Sequence, residues 1–449
     1  MDDSNIIELT PFRADLTRAL ARRGERLLAS TDLAEDVAEL EPLEAYYIVR
    51  EIGLGQSLPV LLQLSPQQLE TCVDLDCWHR YDFAADSLDE WLAVFSLAGP
   101  ETLAQTFFSL DYVVQLLFLA QTVTVYDPDT DQVPPQDEDD EDSKTRAMTP
   151  DGFYLLELKT ELDLKVHPFT LLDAMYMFDN AATHQLLSEV RVDLQSQIEE
   201  EALRVRNNRM QDIGFVTPDE ANVLFSKPTS HGAVPRPLKP VHDLFTGVPS
   251  LYATPFIETT LLQRALSLVT DLEFLSRLEQ EVVWAINSAI IAYGEKTSDT
   301  NQITDIAKRV RDTISLGLES LLVQHESDCL LDGPEAAAKA CDLLADWCLT
   351  DLFRQGFTVT QPLKHEAQKA LREPRFREWY NLSDALQSEN LDEAGDQQDR
   401  AFVSALLGRH PLRGGFNSAN AEEVKAFGRL VDVKEAHERL KQLLVKVCR

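Results

Sequence analysis

The chain has 449 residues, 44% of them hydrophobic, and its 41 Lys and Arg residues face 76 Asp and Glu residues, which gives a formal net charge of −35. This length and apolar content are enough for two or three packed cores. So acidic a surface repels phosphate backbones and anionic lipid headgroups, which argues against general nucleic-acid and membrane-surface binding. Six unevenly spaced cysteines do not form a disulfide framework, and the N-terminal residues lack the features of a signal peptide. We therefore expect a cytoplasmic protein without membrane insertion.

Proline marks the start of several predicted helices in the first third of the chain. Pro42, Pro66 and Pro100 each follow an apolar residue and a turn, and proline suits the first helical position because its missing N–H would have no helical partner. Ser65 is placed to cap the second of these helices. Short amphipathic helices bury their apolar faces only by stacking on neighbours. We predict a helical-repeat domain over residues 30–126.

An acidic stretch interrupts this pattern at residues 127–148. It contains VPPQDEDDEDSK, in which six consecutive carboxylates follow two prolines. Asp127 and Asp131 match positions 1 and 5 of a calcium-binding loop, but Gln132 stands where that loop requires glycine. Adjacent exposed acids share one environment and cannot supply the unlike pKa values of an acid–base pair. We therefore predict a disordered linker rather than a metal or catalytic site.

Helical periodicity returns after the linker and dominates the remaining chain. The segment at residues 153–166 alternates only partly and fits either a strand or a short helix. The 4-3 apolar spacing from Leu261 to Ala289 predicts one helix of about 30 residues that ends near Gly294. A Pro-rich loop at residues 226–250 interrupts the pattern. The fold class is therefore mostly α, with a larger helical domain over residues 149–449.

Cysteine and histidine residues cluster in TCVDLDCWHR, but the cluster lacks a complete ligand set. Cys72, Cys77 and His79 lie within eight residues, and no fourth zinc ligand is close in the sequence. The chain has no Walker loop, no GxGxxG and no HExxH motif. We predict no catalytic residue, no metal site and no cofactor, and the sequence favours a protein that is not an enzyme.

A cluster of hydrogen-bond donors lies in EEEALRVRNNRMQDIGF, which begins at Glu199 and ends at Phe215. One interpretation is a salt-bridged helix face, because Glu200 and Arg204 are four residues apart. The other is an anion-binding pocket, because guanidinium groups bind planar oxyanions through paired hydrogen bonds. Both remain open. The candidate ligand-binding residues are Arg204, Arg206, Asn207, Asn208 and Arg209.

Two resemblances to known families follow from these patterns. Leu-rich helices with the helix starts at Pro42 and Pro66 resemble the cytosolic helical N domain of MgtE-type magnesium transporters, although transport is not implied because no membrane helices follow. The whole chain resembles a bacterial family of unknown function, which implies a cytosolic, mostly helical module and supplies no activity. The segments that carry this second resemblance are DLDCW (74–78), TPDG (149–152), LRVRNNRMQDIGF (203–215), ISLGLESL (314–321) and DLFRQGF (351–357).

The sequence predicts a cytosolic scaffold or regulatory protein-interaction module. Stacked helices form extended grooves that bind other helices or peptides, and the acidic surface favours a basic protein partner. The alternative is a small-anion-binding sensor or enzyme whose pocket uses the arginine cluster at residues 204–209. The sequence does not specify the oligomeric state.

Overall fold

A computed structural model describes eight stretches of the chain. Within them the chain is mostly helical, as the sequence predicts, with five short strands. Most acids of the predicted linker and most of the Pro-rich loop lie outside the described residues. The described stretches are 22–133, 146–159, 163–228, 260–294, 300–325, 333–381, 392–414 and 425–448.

The first described stretch is built from short helices that begin where the prolines predict. Helices begin at Pro42, Pro66 and Pro100, and Ser65 forms a reciprocal capping box with Gln68. The helices are α1 (Leu33–Ala38), α2 (Pro42–Ile52), α3 (Leu58–Leu61), α4 (Pro66–Asp76), α5 (Ala85–Ser96), α6 (Pro100–Ser109) and α7 (Tyr112–Thr122), and a hairpin of β1 (Trp78–His79) and β2 (Asp82–Phe83) lies between α4 and α5.

A small antiparallel sheet combines one strand before residues 127–148, one strand at the end of that range and one strand after it. Its strands are β3 (Val123–Tyr126), β4 (Arg146–Met148) and β5 (Leu155–Leu158), in the order β3-β5-β4. The segment at residues 153–166 therefore contributes a strand, which decides between the two predicted alternatives.

The first residues of the acidic stretch form ion pairs with a helix that follows it. Arg191 binds Asp131 through a 2.7 Å ion pair and lies 3.6 Å from Asp127. A guanidinium thus neutralises two of the acids that match the calcium-loop pattern. Residues 134–145 lie outside the described residues, so the disordered linker and the division of the chain into two domains at this stretch stay predictions.

The remaining described elements are helices. They are α8 (Pro168–Phe178), α9 (Asn180–Val192), α10 (Gln195–Asp212), α11 (Pro218–Val223), α12 (Leu261–Leu266), α13 (Leu272–Tyr293), α14 (Thr300–His325), α15 (Pro334–Asp346), α16 (Leu349–Ala370), α17 (Pro374–Asn381), α18 (Asp392–Leu407) and α19 (Leu430–Cys448).

The single helix predicted from Leu261 to Ala289 is wrong, because two helices, α12 and α13, occupy that range. Asp271 begins the second helix, since its carboxylate accepts hydrogen bonds from the backbone N–H groups of residues 273 and 274. The predicted end is confirmed, because Gly294 adopts the left-handed conformation with φ of 70°.

Helices α14 and α16 approach each other at a pair of glycines. A Cβ atom on Gly317 would overlap the carbonyl oxygen of Leu352, and a Cβ atom on Gly356 would overlap that of Thr313. Only glycine allows two helix backbones to lie this close. The segments ISLGLESL and DLFRQGF, which carry part of the family resemblance, therefore cross each other here.

A continuous apolar core extends from Leu27 to Phe357, and a second cluster packs α17, α18 and α19 against the end of α16. Two buried glutamates bind backbone N–H groups at helix starts: Glu281 accepts from Leu349 at 2.7 Å, and Glu319 accepts from Leu430 at 2.7 Å. Within the described residues no single helix has the length and apolarity needed to cross a membrane, and α6 and α7 reach those limits only as a pair bent by 118°.

Candidate functional site

Helix α10 brings the predicted arginine cluster onto α4, and the three arginines then take different roles. Arg206 donates from Nε to the carbonyl oxygen of Asp74 at 2.9 Å. Arg209 donates from Nε and Nη2 to the carboxylate of Asp74 at 2.7 and 2.9 Å. Arg204 is exposed and pairs with Glu201 on its own helix, and not with Glu200, the partner predicted from the four-residue spacing. Residues 206 and 209 share a face because they are three positions apart, whereas residue 204 lies on another face.

Arg209 is a structural ion-pair residue. Besides Asp74, it binds the carboxylate of Asp111 at 2.8 Å. Burial opposes the charge of Arg209, but the hydrogen bond to Asp74 and the charges of both aspartates outweigh burial and raise the pKa of the guanidinium. At this position the salt-bridge interpretation describes the contacts. Asn207 is half-buried and Asn208 is exposed.

Arg206 is a buried cation without a carboxylate partner among the described residues. Its residue is only 7% exposed, its Nε bonds to a backbone carbonyl, and its guanidinium lies 5.3 Å from the centre of the Trp78 ring. Burial lowers the pKa of Arg206 to about 10, although the nearby charge of Asp74 opposes this shift. The side chain is therefore still charged at neutral pH, and its charge is poorly compensated.

Arg206 and Asn207 line a cleft of about 410 Å³. The cleft lies where the end of α4 and the β1–β2 hairpin meet α10, the start of α11 and the C-terminal end of α13. Its lining combines polar side chains with apolar ones. The lining residues are Leu75, Asp76, Trp78, His79, Arg80, Asp82, Arg206, Asn207, Met210, Val216, Pro218, Ile291 and Gly294.

Arg80 supplies a second cation to the cleft. It occupies the turn between His79 and Asp82 with φ of 59°, in the left-handed region that non-glycine residues rarely adopt. Its guanidinium lies against Gly294, where an added Cβ atom would be 3.2 Å from Nη2. Within the described residues Arg80 has no ion pair or hydrogen bond. The sequence reasoning missed this residue, and the only available signal was the short turn in WHRYDF.

Two other polar groups of the cleft, those of Asp76 and Trp78, differ in the number of hydrogen bonds that they form. The carboxylate of Asp76 accepts hydrogen bonds from Tyr46 at 3.2 Å, from Arg50 at 3.2 Å and from Trp91 at 2.9 Å. By contrast, the indole N–H of Trp78 is buried without a hydrogen-bond partner in the described part of the chain. Asp76 is therefore occupied, whereas Trp78 and the two arginines retain unused donors.

The two cysteines near the cleft are packing residues. Cys72 and Cys77 are fully buried, and burial raises the pKa of both thiols. A buried thiol with a raised pKa forms little of the thiolate that nucleophilic or redox chemistry requires. His79 is exposed at the cleft, in the first strand of the hairpin.

The TPDG segment forms a separate polar cluster outside the cleft. Thr149 donates to Asp151 at 2.6 Å, and the other carboxylate oxygen of Asp151 lies 3.3 Å from Nδ1 of His184. The Tyr154 hydroxyl lies 3.4 Å from Nε2 of the same ring. These contacts fasten the turn between β4 and β5 to α9. The cluster has a structural role in positioning the sheet.

Comparison with known families is decisive for one of the two resemblances. The model of a family of unknown function, DUF6178, matches residues 7–448. The chain belongs to this family. No curated protein and no solved structure matches the chain, so the resemblance to MgtE-type N domains stays a prediction. Two of the segments that carry the DUF6178 resemblance, DLDCW and LRVRNNRMQDIGF, contact each other through Asp74 and Arg209 and provide Trp78 and Arg206 to the lining of the cleft.

Proposed function

We propose that this DUF6178 chain binds a small anion in the cleft at Arg80 and Arg206. The observation that carries the proposal is the buried charge of Arg206, which contacts a backbone carbonyl and an aromatic ring but no carboxylate among the described residues. An anion in the cleft would supply the missing counter-charge. The proposal keeps Arg206 and Asn207 from the predicted cluster and adds Arg80.

The electrostatics of the cleft favour an anion in spite of the acidic chain. A guanidinium taken out of water loses much of its hydration free energy, and an oxyanion that accepts paired hydrogen bonds restores part of it. The net charge of −35 repels anions at long range. At physiological salt, however, that repulsion is screened beyond about 8 Å. Arg80 and Arg206 line the same cleft as the carboxylates of Asp76 and Asp82. Arg50 already pairs with Asp76, which leaves Asp82 as the carboxylate of the lining that opposes the two cations.

The strained turn at Arg80 supports the same proposal. A non-glycine residue in the left-handed region costs about 1 kcal/mol or more relative to an ordinary conformation. Glycine would adopt this conformation without strain. Backbone strain of this kind is typical of residues that serve a binding site.

The proposal is tested by titration calorimetry with inorganic phosphate at physiological salt. We expect Arg80→Gly to weaken phosphate binding at least tenfold, because one of the two cations is lost, while the thermal stability stays equal or rises as the strain is relieved. Arg204→Ala is the matched control, since it removes an arginine from the same predicted cluster but outside the cleft lining. Binding that is unchanged in Arg80→Gly, or equally weakened in both variants, would contradict the proposal.

Arg206 itself is a poorer test, because its removal also disturbs packing. Arg206→Lys keeps a charge but loses the planar donor group and the hydrogen bond from Nε to Asp74. We expect weaker phosphate binding together with a lower melting temperature. Weaker phosphate binding in Arg206→Lys therefore supports the site only together with weaker binding in Arg80→Gly.

A scaffold role in the cytoplasm is the second candidate, and one observation favours it. Met177 is 83% exposed and Phe178 is 46% exposed at the end of α8, where Phe178 stacks on Phe108 with ring centres 5.9 Å apart. Large exposed apolar side chains on an acidic surface suit a basic amphipathic partner.

The scaffold proposal is tested by pull-down at physiological salt with mass-spectrometric stoichiometry. We expect a near-equimolar basic protein with the wild type, its loss with Met177→Glu, and its retention with Val445→Glu, which changes an exposed valine on α19. A partner that both variants retain would show that the α8 end is not the interface.

A further inference from the structure

The lining of the cleft has a polar part and an apolar part. The two parts indicate which kind of anion the proposed site binds. The hairpin and α10 contribute the charged and amide groups of His79, Arg80, Asp82, Arg206 and Asn207. The other lining residues are mostly apolar. They include Leu75, Trp78, Met210, Val216, Pro218 and Ile291.

The size of the cleft exceeds the needs of a bare oxyanion. Its volume of about 410 Å³ falls within the range of roughly 300–1,000 Å³ that is typical of pockets for organic ligands. A phosphate or carboxylate group occupies only a small part of that space. The rest of the volume borders apolar side chains, which gain free energy only when an apolar group displaces water from them.

The apolar part of the cleft is held in place by contacts outside it. Asn287 donates to the carbonyl oxygen of Gly214 at 3.0 Å, which ties the chain after α10 to α13. Arg409 donates to the carbonyl oxygen of Ala292 at 2.6 Å and to the side chain of Asn222. These bonds connect α11 with the C-terminal end of α13. A wall that is formed before binding reduces the entropy that a ligand must pay to order it.

The carboxylates in the lining restrict where the ligand can carry charge. Asp82 is exposed at the cleft, and Asp76 is a second lining carboxylate, which accepts three hydrogen bonds from other side chains. A second negative group placed away from the arginines would meet these carboxylates or the apolar wall. Both arrangements are unfavourable.

We infer that the cleft binds an amphipathic organic anion, with one phosphate or carboxylate head beside Arg80 and Arg206 and an uncharged apolar body against Met210, Val216 and Ile291. The inference rests on the proposed function, because it takes the anion subsite as given. It adds that the apolar body supplies much of the affinity. Polyanions and bare inorganic anions bind more weakly than such a ligand.

The inference is tested by calorimetric titration of the full chain with three probes: inorganic phosphate, phenyl phosphate and phenol. We expect phenyl phosphate to bind at least tenfold more tightly than inorganic phosphate, and phenol not to bind measurably. Val216→Ser should reduce the affinity for phenyl phosphate severalfold and leave that for inorganic phosphate unchanged. Arg80→Gly should weaken the binding of both anions. Ile291→Ser is a second variant of the apolar wall in case Val216→Ser lowers the yield of folded protein.

The outcomes separate the inference from the proposed function. Equal affinity for phosphate and phenyl phosphate would overturn the inference and leave the anion site standing. A preference for phenyl phosphate that survives both wall variants would also overturn it, because the apolar contacts would then lie elsewhere. Tight binding of phenol would overturn it as well, because the anionic head would then be dispensable. Failure of both anions to bind would overturn the proposed function itself.

Discussion

Two helix contacts in this molecule are built on opposite principles. Helices α4 and α10 are joined by charge, because the carboxylate of Asp74 binds Arg209 and its carbonyl binds Arg206. Helices α14 and α16 are joined by the absence of side chains, because Gly317 and Gly356 bring the two backbones together. The first contact leaves a cation and a cleft beside it. The second leaves no space.

The difference bears on where function can lie in this fold. Close backbone packing makes the α14–α16 pair rigid, because neither helix can shift without losing its contact with the other. Such packing leaves no polar group exposed to a ligand. The contact through arginines uses the whole guanidinium of Arg209 but only the Nε of Arg206, so the other N–H groups of Arg206 are left for a ligand. The binding site that we propose therefore lies at the polar contact, and the α14–α16 crossing serves as support.

The largest expected effect is at the glycine crossing. Gly317→Ala places a methyl group on the carbonyl oxygen of Leu352, and the two helices must separate to accept it. We expect the free energy of unfolding to fall by more than about 3 kcal/mol, beyond the usual range for overpacking. Denaturant unfolding monitored by circular dichroism measures this change.

The matched control for this prediction is Gly55→Ala. Gly55 has no atom within 4 Å of an added Cβ position, and its φ is not positive. We expect a change within about 0.5 kcal/mol. If the two alanine variants are equally stable, α14 and α16 do not pack through their backbones in solution.

The polar contact should be weaker than the crossing but still substantial. Asp74→Asn removes the buried carboxylate that binds Arg209 and leaves two buried or half-buried cations on α10 without it. We expect a loss of about 2–3 kcal/mol in the free energy of unfolding, because an uncompensated buried charge remains. Glu201→Gln is the control, since it removes an exposed carboxylate that pairs with another arginine of α10, Arg204. A variant Asp74→Asn as stable as the wild type would mean that the charge pair contributes little beyond packing.

These two contacts also show what the sequence can and cannot predict. Helix starts at Pro42 and Pro66 follow from a local rule and were predicted correctly. The arginine cluster is visible as a set of donors, but the partner of Arg209 is 135 residues away, so its role as an ion pair or a ligand group depends on the tertiary fold. Arg80 gives almost no signal, because its position beside Gly294 depends on α13, far along the chain.

Local rules misjudge two further features for the same reason. By local rules, a glycine within a helical pattern is expected only to weaken the helix. The close approach of two helices that Gly317 permits depends on Gly356, which lies opposite it in the fold. The break between α12 and α13 was missed because the 4-3 apolar spacing continues through it, whereas the capping carboxylate of Asp271 decides where the second helix begins. Periodicity reports which face is buried but does not report every interruption.

We expect acid to lower the stability of the protein through a histidine, His410, that packs against α14 and α16. His410 is buried beside Thr313 of α14 and Phe353 and Phe357 of α16, and the Tyr293 hydroxyl lies 2.6 Å from its Nδ1. Burial, together with the positive charge of Arg309, lowers the pKa of His410 from 6.5 to about 3. The contribution of the neutral ring to stability is complete above the unfolded-state pKa and is lost as the pH falls towards the folded-state pKa.

The sign of this effect follows from proton uptake by the unfolded chain. Between about pH 6.5 and pH 3 the unfolded histidine binds a proton that the folded one does not, so acid lowers the free energy of unfolding. We expect His410 to account for a loss of about 2 kcal/mol between pH 7 and pH 5. Denaturant unfolding of the wild type and His410→Gln at both pH values measures it. Parallel losses in the two proteins would exclude this histidine as the source.

The smallest expected effect sharpens the comparison within α10 itself. Arg204 is exposed, and among the described residues its ion-pair partner is the exposed Glu201 three residues earlier. Such surface pairs contribute little because water screens them and both side chains lose freedom. We expect Arg204→Ala to leave the unfolding midpoint and phosphate binding unchanged within experimental error. A clear loss of stability would mean that the exposed charges of α10 stabilise the fold together. Asp74 and Arg209 would then account for less of the free energy of unfolding than we propose. An unchanged midpoint, with Asp74→Asn strongly destabilised, would place the structural role of the arginine cluster at the buried pair and leave Arg206 as the residue available to a ligand.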